Sequence, residues 1–377
     1  MKIFVVPATY NEKDNIEEFI TILEEEVFPE IKNHEMHIIV ADDNSPDGTG
    51  EIVKKLIKKY KNLGINQAER KGLGAAYLRT MGDAIENLGA DVVVSIDADF
   101  QFNPHDLLKY IEKLNEGYDV VVQTRYSGGG SIPENWPPQR KIFSIAANLF
   151  VRTVFMKFAI HDWTGGFRAI KKEVFLKEKR EMQGYNGYIF QIAFLHKAVR
   201  DGFKVGEVPL HFSDRKLGNS KIAPVNYIIS VLKFVITTRI KELIYGSFGK
   251  FLVVGGVGFI INAMMLRFLV ESFGVIPAVA NLTGAAIAIF SNYNFNNLWT
   301  FSNQKRNNLT SYVRGIFKFY LTSAFGVIVI QTGTIALGDI LFGRQWYFIY
   351  FIIGTGFLLF WNFTIYNRFI WRKKPLK

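Results

Sequence analysis

The chain has 377 residues, 49% hydrophobic content, a formal net charge of +11 and no cysteine. That length allows two or three domains, and the missing thiols exclude disulfides, cysteine nucleophiles and cysteine-held metals while fitting a reducing interior. The apolar residues crowd towards the C-terminal end, so the basic excess is assigned to a membrane surface and not to nucleic acid.

Residues 1–215 alternate short apolar strands with helical patterns, the signature of an α/β domain on a mostly parallel sheet. The first strand, 3–6, runs into the polar turn Pro7-Ala8-Thr9-Tyr10-Asn11-Glu12, a pattern unlike a signal peptide. A helix is expected over 13–27. A second strand, 37–41, ends in Asp42-Asp43-Asn44-Ser45-Pro46-Asp47-Gly48-Thr49. Residues 45–49 suit a turn and helix cap as well as they suit a nucleotide; Asp43 reads as a ligand contact. Arg70-Lys71-Gly72-Leu73-Gly74 lacks the third glycine of a dinucleotide fingerprint and follows no strong strand, which argues against NAD. It remains a helix N-terminus with two cations beside it.

Val92-Val93-Val94-Ser95-Ile96 reads as a strand buried on both faces. Asp97 and Asp99 follow at its carboxyl end, with Gln101 beyond them. Open α/β sheets bind ligands outside the carboxyl ends of their strands. Carboxylate and amide oxygens there suit a hard divalent ion, Mg²⁺ or Mn²⁺, whose shell substrate phosphates complete. Three polar strand ends thus converge on one edge. A further strand, 120–123, ends in Thr124-Arg125-Tyr126. The run Gly128-Gly129-Gly130 then leads past Trp136-Pro137-Pro138 to Arg140, which reads as a loop closing over substrate or as a plain linker.

Over 224–245 the apolar residues fall on one helical face, with Lys233, Arg239, Lys241 and Glu242 largely off it. This reads as a helix lying in a membrane interface, core packing being the alternative; 142–158 is a candidate for a second such helix. Four apolar stretches, 251–270, 276–295, 317–337 and 347–366, each have about the 20 residues a bilayer requires. The loop between the second and third holds Lys305, Arg306, Arg314 and Lys318 with no acid, and the tail holds Arg368, Arg372, Lys373 and Lys374. By the positive-inside rule the N-terminal half and the C-terminus are cytoplasmic, in an integral protein of the cell membrane.

The blocks at 7–12, 42–49, 72–77, 97–101, 125–126 and 136–140 resemble the donor-site motifs of glycosyltransferase family 2. More narrowly they resemble those of dolichol-phosphate mannose synthases and related polyprenyl-phosphate glycosyltransferases. Asp162-Trp163-Thr164-Gly165-Gly166-Phe167-Arg168, Val208-Pro209-Leu210 and Asp214-Arg215 with Gly218-Asn219-Ser220-Lys221 extend the likeness. The C-terminal stretch is similar to small four-span domains associated with lipid-linked sugar flipping, notably at Gly255-Gly256-Val257-Gly258 and over 294–301. Two departures stand out: Ala8 replaces a proline of some relatives, and Ala193 replaces a glutamate of many.

The resemblance implies a GT-A-type, Rossmann-like domain over 1–222, an interfacial helix over 223–246 and a four-helix transmembrane domain over 247–377. It implies inverting transfer of mannose from GDP-mannose to the phosphate of a membrane polyprenol such as dolichyl phosphate. Ala8, Tyr10, Glu12, Ala41 and Asp43 would line the nucleotide-sugar site, with Asp97, Ala98, Asp99 and Gln101 beside the diphosphate and the metal on Asp97, Asp99 and Gln101. Arg125, Arg140, Arg215 and Lys221, with Asp99, would carry the chemistry, and Arg125, Arg215 and Lys221 would also touch the donor. A phosphate monoester is already an anion at neutral pH, so Ala193 costs no needed base. Two other readings stay open: a UDP-glucose or other UDP-sugar donor, and a flippase or scaffold whose transferase half is inactive.

Overall fold

The computed structural model describes residues 1–134, 136–212 and 225–371. The chain divides into two compact units, 1–236 and 237–377.

The first unit runs β1 (Lys2–Thr9), α1 (Ile16–Ile22), β2 (Glu35–Asp42), α2 (Thr49–Leu56), β3 (Leu63–Gln67), α3 (Leu73–Glu86), β4 (Val92–Asp97), α4 (Leu107–Asn115) and β5 (Val120–Thr124). After these come α5 (Pro138–Phe155), β6 (Arg168–Lys171), α6 (Lys172–Glu178), α7 (Gly187–Arg200), β7 (Val205–Pro209) and the first part of α8 (Val225–Tyr245), which runs past residue 236. The seven strands form one sheet ordered β3-β2-β1-β4-β6-β5-β7. β6 runs antiparallel to both neighbours and every other pairing is parallel. The sheet is therefore mixed, and mostly parallel as the alternation of elements implies.

Side chains on a strand alternate between faces, and here both faces are covered. Ile3 and Val5 pack with Phe19, Val94 and Tyr110 on one side. Phe4 and Val6 pack with Tyr77, Val93 and Phe175 on the other. That two-sided burial is why 92–96 reads as an unbroken apolar run. The expected helix over 13–27 begins at Ile16, because the Glu12 carbonyl closes a turn with the Asn15 and Ile16 amides. Its last turn winds wider, as a π-turn over 23–27. A strand, β3, does precede Gly72; at the sheet edge, with Asn66 and Gln67 in it, it carries little of the apolar signal expected of a strand.

α5 leaves Ile142, Phe143, Ile145 and Leu149 exposed. On α8, Val235 is buried and Val231 and Phe234 pack on the same core, while Ile229 and Ile236 stay exposed. Both readings of that helix are thus represented: one face packs into protein and another is left apolar and uncovered.

The second unit contains α9 (Ser247–Phe273), α10 (Pro277–Phe295), α11 (Leu309–Phe325), α12 (Thr332–Phe342) and α13 (Tyr347–Ile365). α11 and α12 join through a π-turn into one helical stretch. Among the described residues, two helices are long and apolar enough to cross a membrane, Ser247–Phe273 and Leu309–Phe342.

Some local features of this unit recur in pairs. α10 and α13 each end in a five-residue π-turn, Asn296–Thr300 and Tyr366–Ile370. A Cβ on Gly258 would strike Asn292, and one on Gly326 would strike Leu358 at 2.5 Å, with Asn362 at 3.3 Å. Aromatic contacts recur likewise. Phe251 meets Phe363 at 5.6 Å as Phe319 meets Tyr293 at 5.6 Å, and the equivalent residues Phe301 and Trp371 stack on each other at 4.6 Å.

Candidate active site

The sheet register brings the three motif-bearing strand ends together. Ala8 lies level with Ala41 on one side and Asp97 on the other. Beyond each of these strands one non-glycine residue adopts a left-handed conformation: Asn11 (φ 63°), Asn44 (φ 54°) and Phe100 (φ 60°). Asparagine tolerates that geometry; phenylalanine does so at a cost, and such residues gather where a site needs side chains re-aimed. Phe100 stands between Asp99 and Gln101.

The paired acids at the end of β2 separate into two jobs. Asp42 is fully buried, and its carboxylate accepts from the Thr9 hydroxyl (3.0 Å), the Ser45 hydroxyl (2.6 Å), the Ser45 amide (3.1 Å) and Gln67 Nε2 (2.9 Å). It is a structural staple. Among the described residues the Asp43 carboxylate has Arg79 as its one partner, at 3.5 Å. The Thr49 hydroxyl donates to Asp47, and the Glu12 and Lys13 amides donate to Thr49 and Asp47. For residues 45–49 the turn reading therefore describes these bonds. Tyr10 sits at the surface with the Arg70 guanidinium over its ring at 3.7 Å. Glu12 accepts from Asn15, and Ala98 is buried under the loop.

Asp97 and Asp99 leave β4 at its carboxyl end. Asp99 Oδ1 accepts from the Gln101 amide at 3.1 Å, and both residues are buried. Among the described residues the buried Gln101 side-chain nitrogen has no hydrogen-bond partner, so that amide end is not committed to their bonding. Beneath lies Tyr77, whose phenol is held protonated far above its usual range by burial and by the Asp97 charge. Among the described residues no cluster of three or more His, Cys, Asp or Glu could hold a metal by itself. Two carboxylates and an amide still fit a hard ion of the kind that keeps several positions for substrate phosphate.

Across the edge, Arg125 follows β5 and is clamped by Asp162: Nε to Oδ2 at 2.7 Å and Nη2 to Oδ1 at 2.9 Å. Nη2 also donates to the Thr164 hydroxyl at 2.8 Å. Burial works against both charges, but the pairing outweighs it, raising the Arg125 pKa and holding the Asp162 carboxyl below the usual range. Glu207 on β7 steadies this corner, accepting from the His161 amide at 2.5 Å, the Asp162 amide at 3.3 Å and the Ser127 hydroxyl at 3.3 Å. Asp162 and Thr164 stood in a motif block without an assigned role, and Glu207 carried no signal, since its partners lie far away in sequence.

Arg125 also lines a cavity of about 390 Å³. Arg140, Thr164 and Tyr188 are polar lining residues beside Arg125. Phe143, Ala146, Ala147 and Phe150 of α5, with Ile228, Val231 and Leu232 of α8, form its apolar walls. Arg140 stacks on the Trp136 ring at 3.6 Å. Arg215 and Lys221 lie outside the described residues. Ala193 is buried in the core of α7.

Residues 4–177 match glycosyl transferase family 2, and residues 250–371 match the GtrA/DPMS transmembrane domain. A dolichol-phosphate mannosyltransferase of Pyrococcus furiosus is 32% identical over 330 residues, 87% of this chain and 88% of that protein. A polyprenol monophosphomannose synthase of Mycolicibacterium smegmatis is 34% identical over 224 residues, 59% of this chain and 81% of that protein. Among solved structures, the mannosyl-3-phosphoglycerate synthase of Rubrobacter xylanophilus aligns with TM-score 0.46 and 15% identity over 64% of this chain and 74% of that one, a likeness too distant to bear on the site. The chain is thus a membrane protein and a glycosyltransferase, and it belongs to glycosyltransferase family 2 with a GtrA/DPMS transmembrane domain behind the catalytic one.

Proposed function

We propose that the protein transfers mannose from GDP-mannose to the phosphate of a membrane polyprenol, with inversion at the anomeric carbon. The observation that carries this is the cavity beside Arg125: apolar walls on two helices, with two guanidinium groups, a hydroxyl and a phenol among the groups that line it. A long apolar chain with an anionic head matches that set of groups. The two curated relatives, named for mannosyl transfer to dolichol phosphate and polyprenol, support the sugar and the acceptor.

Asp43, Tyr10 and Glu12 take the nucleoside along the edge from β1 to β2, between Ala8 and Ala41. Asp97, Asp99 and Gln101 would hold the divalent ion, which when bound neutralises charge on the departing nucleoside diphosphate. Arg125, turned by Asp162 and Thr164, and Arg140, braced on Trp136, receive the acceptor phosphate; guanidinium groups suit bidentate phosphate contact. A phosphate oxygen attacks the anomeric carbon from the face opposite the diphosphate, the bond to the diphosphate breaks, and no proton needs removing. Arg215 and Lys221 are assigned to the same phosphates.

In this reading 1–222 is the catalytic domain and 223–246 the interfacial helix, with α5 beside it dipping Ile142, Ile145 and Leu149 into the headgroup layer. The four helical stretches over 247–377 all span, with the catalytic domain and the C-terminus cytoplasmic. The test is transfer by purified protein to polyprenyl phosphate, with GDP-mannose and UDP-glucose in parallel. Mannosyl phosphodiester from the first donor alone is the expected result; glucosyl product would replace the donor assignment.

A further inference from the structure

Arg168 opens β6, and its guanidinium is among the largest fully buried groups of the protein. Among the described residues it forms no salt bridge. Instead it donates Nε to the Gly165 carbonyl (2.9 Å), Nη2 to the Trp163 carbonyl (2.9 Å) and Nη1 to the Gln191 carbonyl of α7 (2.6 Å). Burial pulls its pKa down to about 10, which still leaves it charged at neutral pH. A buried cation bonded to carbonyls, its cost offset only in part by the Asp162 charge, is expensive, so its retention asks for a reason that a neutral core residue would not meet.

The loop it grips supplies that reason. At one end, Asp162 and Thr164 clamp Arg125. At the other, Gly166 backs directly on the metal-side carboxylate: a Cβ there would stand 3.3 Å from Asp97 Oδ2. The Gly166 carbonyl is tied to β4 by the Ser95 hydroxyl at 2.7 Å, two residues before Asp97. Gly165 has no room either, since a Cβ would lie 2.3 Å from Gln123. The five-residue turn is therefore pressed between Asp97 and Arg125, and Arg168 holds its middle from below.

We propose that Arg168 is a positioning residue: it sets the spacing between the carboxylate that serves the donor diphosphate and the guanidinium that serves the acceptor phosphate. It touches neither substrate. Each half of the site binds its own ligand without it, and what it secures is the alignment of the two reacting groups. Misplacing such groups by about 1 Å costs roughly a hundredfold in rate. The inference rests on the two-substrate reading above.

The test uses full-length protein in nanodiscs with Mn²⁺, GDP and polyprenyl phosphate. Arg168→Lys keeps the charge but offers one ammonium to three carbonyls. Electron–nuclear double resonance between Mn²⁺ and ³¹P reads the spacing without any turnover. The wild type should give one narrow Mn–P distance to the acceptor phosphorus, and Arg168→Lys a broadened or lengthened one. In the same variant kcat for mannosyl transfer should fall about a hundredfold, with GDP affinity and acceptor KM within about threefold of wild type. An unchanged distance distribution or an unchanged kcat overturns the proposal. So does a loss of GDP and acceptor binding in step with kcat, which would make Arg168 a fold residue only. Should Arg168→Lys fail to fold, Ser95→Ala frees the Gly166 carbonyl more gently, and an unaltered Mn–P distance there overturns the proposal. A wild type that shows the narrow distance but transfers no sugar counts against the assigned reaction and leaves the positioning role standing.

Discussion

Arg125 and Asp162 face each other through two parallel hydrogen bonds, at 2.7 and 2.9 Å, with Asp162 wholly enclosed. The pair fixes the plane of a guanidinium that also lines the cavity proposed for the acceptor. Removing one partner of a buried pair strands the other charge, at a cost of about 3–5 kcal/mol. Asp162→Ala should lower the midpoint of thermal unfolding and the rate of sugar transfer together. Arg125→Met with Asp162→Leu, which removes both charges, should recover most of the stability and none of the transfer. Recovered transfer in the double variant would remove Arg125 from the acceptor site.

The metal assignment makes a separate demand on Asp99. Its replacement by alanine should reduce turnover by at least about a hundredfold, as the loss of one key electrostatic stabiliser typically does. Asp42→Ala, by contrast, removes a staple of the turn and should act chiefly on stability. Turnover of Asp99→Ala, measured with and without a chelator, checks this; full activity in either condition contradicts the assignment.

The cavity walls give a third expectation. Ala146 and Ala147 are small where α5 faces Ile228, Val231 and Leu232 of α8. Ala147→Trp should crowd the apolar walls and raise KM for polyprenyl phosphate at least tenfold, with GDP affinity unchanged. Initial rates against acceptor concentration decide it, and an unaltered acceptor KM would place the lipid elsewhere.

Away from the site, Glu178 closes α6 with its side chain buried; Arg200 Nη2 stands 3.8 Å from Oε2, and among the described residues neither oxygen has a hydrogen-bond partner. Burial, helped by the Asp201 charge, raises its pKa from the ordinary 4.5 to about 7. The folded state therefore holds this proton more tightly than the unfolded chain does. The stability it supports is complete below about pH 4.5 and is lost as pH rises through about 7. Glu178→Gln, which mimics the protonated form, should raise the unfolding temperature at pH 8 and leave it nearly unchanged at pH 5. An equal effect at both would show that the carboxyl is not protonated in the fold.

Much of the site was legible because it follows strand ends. A buried β-branched run at 92–96 with acids just past it needs only the rule that α/β sheets bind ligands at their carboxyl edge. Asp43 reads as a ligand contact from sequence, but the stapling role of Asp42 does not, since it lies in Gln67 and Thr9, both distant in the chain. Arg168 was quoted within a motif and given no role, because arginine reads as a surface residue and its partners are backbone carbonyls that no pattern announces. The antiparallel insertion of β6 was hidden for a similar reason: four residues, Arg168–Lys171, carry too little periodicity to orient a strand. The cavity needs α5 and α8 brought side by side. The paired features of the helical unit carry little sequence signal because only a few contact positions recur.

The most direct measurement is the product formed by the purified protein from labelled GDP-mannose and polyprenyl phosphate in the presence of Mn²⁺. The expected product is a mannosyl phosphodiester of the lipid with the anomeric configuration opposite to the donor's, formed by the wild type and absent with Asp99→Ala. Free mannose, retained configuration, or equal product from the wild type and Asp99→Ala would contradict it.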